Sequence, residues 1–123
     1  MKNLGQIGEQ LAADYYGAHG YKILERNFIF PHGKRLGEID LICFKDSELV
    51  FVEVKLRTTE TFGGPLVAVD QNKQRKLVKM AKLYLMLHPD LSELNYRIDV
   101  AAVSIDNKQK PVTILQNAIE DFD

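Results

Sequence analysis

Four ionisable side chains interrupt the most apolar part of this 123-residue chain: Glu38 and Asp40 in "GEIDLICF", Glu53 and Lys55 in "FVEVKLR". Both segments otherwise read as strands, rich in Ile, Leu, Val and Phe. Side chains alternate along a strand. Glu38, Asp40, Ile42 and Phe44 therefore share one face, as do Leu49, Phe51, Glu53, Lys55 and Arg57 on the next strand. With Lys45-Asp46-Ser47-Glu48 as the connecting loop, Phe44 pairs with Leu49 and Ile42 with Phe51. The same register sets Asp40 opposite Glu53 and Glu38 opposite Lys55. Directly opposed residues hold their Cβ atoms ~5 Å apart, and like charges there are destabilising. A divalent cation between the two carboxylates removes the conflict. Mg²⁺ favours one or two carboxylates completed by water and phosphate oxygens. Such a centre can activate water against a phosphate, and Lys55 on the same face could orient that water or neutralise developing charge. The alternative is a solvated strand end with ordinary salt bridges, Glu38–Lys55 among them.

These residues need elements to hold them. Leu4, Ile7, Leu11 and Tyr15 recur at helical spacing over residues 3–19, running out at Gly17 and Gly20. "YKILERNFIF" reads as a strand ended by Pro31-His32-Gly33, and "TTETFGGP" as a loop. Asp70 is a natural N-cap for a long helix reaching Leu87, with Leu77, Val78, Ala81, Tyr84 and Leu85 as its core-facing stripe. "YRIDVAAVSI" is a fourth strand, and "PVTILQ" a short fifth whose Pro suits an edge. The order α-β-β-β-α-β-β predicts an α/β fold with a mixed central sheet flanked by helices. The β-α-β step predicts parallel pairing of the third and fourth strands.

The length fits one domain over residues 1–123. The N-terminus lacks the apolar stretch of a secretory signal, no run approaches membrane-spanning length, and a cytoplasmic location is expected. A lone Cys43 excludes an internal disulfide, and it falls on the strand face opposite Asp40, as a core residue would. His19, His32 and His88 lack metal-ligand spacing. Tyr15, Tyr16 and Phe62 read as packing or loop anchors. The net charge is −1, so no global basic signal for nucleic acid exists, yet basic residues cluster locally. Lys73, Arg75, Lys76, Lys79 and Lys82 fill the polar arc of the long helix, a solvated face or a track for a phosphate backbone. Lys34, Arg35 and Arg57 would extend that track.

Asp40 followed by Glu53-Val54-Lys55 fits the D…(D/E)xK pattern of the restriction-endonuclease-like nucleases. A longer string is more specific: "GQIGEQLAADYY", "GYKILERN", "GEIDLI", "FVEVKLR", "GGP…AV", a Lys/Arg-rich helix and "YRIDVAAV". Over residues 4–105 the chain closely resembles the bacterial YraN family, small proteins similar to archaeal Holliday junction resolvases. The resemblance implies a restriction-endonuclease-like fold and Mg²⁺- or Mn²⁺-dependent cleavage of DNA, branched DNA included. A non-catalytic nucleic-acid-binding module of the same fold is the second reading, and a purely structural interaction protein the third. By position, the resemblance makes Asp40 and Glu53 metal ligands, adds the Val54 backbone carbonyl, and makes Lys55 the catalytic lysine. Glu9, on its own an exposed helix carboxylate, becomes an additional acid at the metal. Glu38 either approaches the metal or pairs with Lys55. The loop departs from the pattern, since an acidic residue is expected near Val67. A homodimer is implied by analogy with resolvases.

Overall fold

The structure, a computed structural model, describes residues 3–31, 37–57 and 69–120. Helix α1 spans Leu4–Ala18, followed by strands β1 (Lys22–Phe28), β2 (Ile39–Lys45) and β3 (Glu48–Leu56). Helix α2 (Gln71–Leu87) and a 3₁₀ turn (Pro89–Leu91) lead to β4 (Asn95–Val103) and β5 (Val112–Ile119). The strands lie in chain order in one sheet. All pairs are antiparallel except β3–β4, which is parallel across the α2 crossover. This is the mixed α/β arrangement expected of a restriction-endonuclease-like chain. No helix among the described residues is long and apolar enough to cross a membrane.

Local chemistry sets the element ends. Asn3 and Gln6 form a reciprocal capping box at the start of α1. Asp70 caps α2, its Oδ1 accepting from the Lys73 N–H at 2.8 Å. The β2–β3 connection is shorter than the four-residue loop expected. Asp46 and Ser47 both take positive φ, 51° and 66°, and make a two-residue turn that leaves Lys45 paired with Glu48. The register is unchanged, because both loops put Phe44 opposite Leu49. Strand β5 runs further than expected: Asn117, at φ 52°, donates its N–H to Asp99 Oδ1 and lets pairing resume at Ile98–Ile119.

The sheet buries both faces. Phe28, Ile42, Phe51 and Ile98 pack under Leu77, Met80, Ala81 and Tyr84 of α2. Leu41, Cys43, Val50, Val52, Ala101 and Val103 pack under Ala12, Ala13 and Tyr16 of α1. The small residues let α1 approach closely: a Cβ on Gly8 would stand 2.9 Å from Leu56 Cδ2. Helix α1 is thus pressed over the end of β3, with Glu9 as its next residue.

Sequence reading gave no special role to Asp99, which is fully buried on the α1 face. Arg97 Nε donates to its Oδ1 at 2.9 Å, Tyr16 Oη to its Oδ2 at 2.7 Å, and Asn117 N–H to its Oδ1. Arg97 continues to Glu48 and Tyr21. Burial and the Asp99 carboxylate push the Tyr16 hydroxyl far above its usual range, so it stays a donor. Tyr16→Phe leaves this buried carboxylate one donor short. A loss of about 1–3 kcal/mol is expected, read as a lower urea midpoint at unchanged m-value.

Candidate metal centre

Backbone pairing between β2 and β3 runs from Lys45–Glu48 to Leu41–Val52 and stops there. One step further, where the register points Asp40 at Glu53, the Asp40 side chain takes over the ladder. Its Oδ2 accepts from the Val54 N–H at 2.7 Å. The carboxylate is therefore fixed by a main-chain donor on the neighbouring strand, 6% exposed, with Glu53 beside it at 4%. Burial, then the hydrogen-bonded and negatively charged Glu53 side chain, push the Asp40 carboxyl up to about 8; the Val54 N–H pulls the other way. Asp40 keeps its proton more readily than it carries a charge in this setting.

Two further acids close on this pair. Glu9 from α1, Glu38 just before β2 and Asp40 each present one carboxylate oxygen within 4.8 Å of the others. Glu9 is half-buried, unlike an ordinary exposed helix carboxylate. Its carboxyl is raised by burial and by Glu38, and a hydrogen bond from the Asn27 side chain offsets part of that. Arg26–Leu41 and Phe28–Ile39 bracket Asn27 across from Asp40, and its φ of 53° is the left-handed conformation that asparagine tolerates better than most residues. Sequence reading passed over Asn27; an Asn inside an otherwise regular strand was the available signal. Beside it, Arg26 Nη1 bonds Gln10 Oε1 at 2.9 Å and ties β1 to α1.

The cations are arranged unequally. Lys55 is half-buried, and burial followed by the adjacent Lys73 amine holds its ammonium below the ordinary range, against the pull of Glu53 and Asp40. Burial would lower Lys73 as well, but its bond with Lys55 and the Glu53 charge outweigh it and raise it. Lys73 Nζ stands 3.5 Å from Glu53 Oε2, an ion pair too long for a good hydrogen bond. Among the described residues Glu53 Oε2 is the buried side-chain oxygen left without a hydrogen-bond partner.

An all-oxygen set with one buried oxygen unsatisfied fits a hard divalent cation. Glu9, Glu38 and Asp40 could hold it, with Glu53 beside Asp40.

Not every expected residue joins. Lys73 belongs to the centre and not to an outer track, because its ammonium reaches Glu53 of β3 from the first turn of α2. Lys76 lines a cleft of about 320 Å³ with Glu38, Asp70, Asn72 and Lys73. Arg75 and Lys79 are exposed on α2, and Arg57 is exposed just past β3, its N–H bonded to the Val103 carbonyl at 2.8 Å. Cys43 is buried in the α1-side core. His19 and His88 stack on Tyr15 and Tyr84. Lys34, Arg35, His32, Phe62 and the loop around Val67 lie outside the described residues.

The uncharacterised protein family UPF0102 matches residues 8–103, a span that holds all four acids and both lysines, and the chain belongs to that family. It is 40% identical over 121 residues to the UPF0102 protein of Caldicellulosiruptor bescii, covering 98% of this chain and 97% of that one. Identity to the UPF0102 protein of Syntrophomonas wolfei is 42% over 118 residues, 95% and 97% of the two chains. The Alcanivorax borkumensis relative is 41% identical over 108 residues, 88% of this chain and 83% of its own.

Clustered acids carry a linked pH signature. A folded-state carboxyl pKa above the unfolded value of ~3.9 stabilises fully below that value, and the contribution is lost as pH rises toward about 8. Asp40→Asn keeps an acceptor for the Val54 N–H and carries no charge. In EDTA it should match wild type near pH 4 and exceed it at pH 8–9 by on the order of 2 kcal/mol, a few degrees in Tm. Saturating Mn²⁺ should raise the wild-type Tm and leave the variant nearly unchanged. Thermal unfolding across pH, with and without Mn²⁺, measures both.

Proposed function

We propose that this UPF0102 chain is a divalent-cation-dependent endonuclease that hydrolyses phosphodiester bonds in DNA, branched DNA included. The observation that carries the reading is the buried Asp40–Glu53 contact on adjacent strands, with Glu53 Oε2 left unsatisfied beside two lysines. Stability alone gives no reason to keep such a pair. A cation bound there would supply Lewis-acid chemistry, drawing charge from a phosphate oxygen and easing deprotonation of water.

The chain's own groups divide the remaining work. Asp40 is locked by the Val54 N–H, Glu53 by its strand, and Glu9 by the Asn27 side chain, so the oxygens need little reorganisation. The Val54 carbonyl is proposed as a further ligand. Lys55, with its amine eased toward neutrality by burial and by Lys73, takes the proton from the attacking water as its oxygen bonds to phosphorus. The opposite P–O bond breaks, and the leaving oxygen collects a proton from solvent. Arg57, Arg75, Lys76 and Lys79, with Lys34 and Arg35, hold the backbone without reading bases. Two strands of a junction need two cuts, so a second copy of the chain is the proposed partner.

The test is cleavage of a labelled four-way DNA junction beside its linear duplex, with Mg²⁺ or Mn²⁺. Wild type is expected to cut the junction, and Lys55→Ala to lose at least ~10²-fold in rate. A wild type that shifts the junction without cutting it would instead be a binding module, and the catalytic reading would fall.

A further inference from the structure

Lys73 holds an unusual place. It lies in the first turn of α2, three residues after the Asp70 cap, where the helix dipole disfavours a cation. The Asp70 carboxylate caps the turn through the Lys73 N–H, and no further acid follows within it. The side chain nevertheless reaches Glu53, whose carboxylate is 4% exposed and whose Oε2 has no hydrogen bond. At 3.5 Å the ammonium neutralises the oxygen without coordinating it closely, and the lysine remains 42% exposed at the mouth of the cleft. A permanent structural ion pair to so buried an oxygen would be expected to close to hydrogen-bond distance. A loosely seated, half-exposed cation can leave.

Resting on the proposed metal site, we infer that the Lys73 ammonium is the protein's own stand-in for the divalent ion: it neutralises Glu53 in the metal-free protein and is displaced when the ion binds. The arrangement keeps Glu53 and the three clustered acids beside it compatible with folding before metal arrives. It also makes metal binding a competition, so that occupancy responds to cation concentration more weakly than the acids alone would allow.

The experiment compares wild type, Lys73→Met and, as a charge control on an exposed turn, Lys108→Met. Each is titrated calorimetrically with Mn²⁺ and melted in EDTA and in saturating Mn²⁺. Lys73→Met should melt below wild type in EDTA, match it in Mn²⁺, and bind Mn²⁺ about two- to fivefold more tightly, the range set by a half-exposed ion pair. Lys108→Met should behave as wild type in every arm. An equal loss of Tm in EDTA and in Mn²⁺ would make the ion pair permanent and overturn the inference, as would Mn²⁺ affinity unchanged in Lys73→Met. Mn²⁺ uptake by Lys73→Met alone would support displacement in its strongest form. Uptake by neither protein would overturn the metal-dependent function and the inference together, whereas normal wild-type uptake with no Lys73 effect removes the inference alone.

Discussion

Negative charge held at the end of an antiparallel strand pair, in surroundings that water scarcely reaches, is the constraint to which the neighbouring structure answers. Asp40 and Glu53 extend a ladder whose preceding positions are apolar, so they inherit its burial along with its geometry. Each compensating feature comes from a different element. The Val54 main chain donates to Asp40, α2 delivers Lys73 to Glu53, and β1 adopts a left-handed residue that brings the Asn27 amide to Glu9. Helix α1 brings Glu9 itself, which requires the close approach permitted by Gly8. The compensation is incomplete, and the unsatisfied Glu53 oxygen records it.

Asp99 shows what complete compensation looks like in the same molecule. It is more deeply buried than Asp40 or Glu53, yet it receives bonds from Arg97, the Tyr16 hydroxyl and the Asn117 N–H. A buried carboxylate with three donors behaves as structure: it fixes the β4–β5 bulge and ties α1 to the sheet. The acids at the β2–β3 end crowd one another instead and meet few donors. Burial is common to both sites; donor supply separates them.

Two-sided burial explains how both sites coexist on five strands. The Arg97–Asp99 pair lies on β4 under α1, where packing leaves it almost wholly buried. The acidic cluster sits where α1 begins to run past β3 and where α2 starts, so its members are half to fully buried and a cleft opens beside them. A polar group in the sealed region must be satisfied by the protein alone. One beside the cleft can leave part of that task to a ligand, and the ordering of Lys55 and Lys73 acts in that zone.

Much of this was legible in the chain itself. Alternation along "GEIDLICF" and "LVFVEVKLR" set the hairpin register, because a slip by one residue would turn every apolar side chain to the wrong face. Asp70 announced the start of α2 to the residue, since an N-cap is a local hydrogen bond. The parallel β3–β4 pairing followed from a helix between two strands. The two-residue turn at Asp46-Ser47 and the reach of β5 were not legible, because both depend on backbone conformations that several residue types can adopt. Nor were the partners of Lys73 and Asn27. Helical periodicity gives a residue's side of its own helix but not the depth to which the helix start sinks against another element. Sequence by itself determined the strand faces, the cap and the register that points Asp40 at Glu53, products of local periodicity and of a local capping bond. Tertiary structure decided which distant groups meet that pair, because Glu9, Asn27 and Lys73 converge only through the packing of α1, β1 and α2 around one end of the sheet.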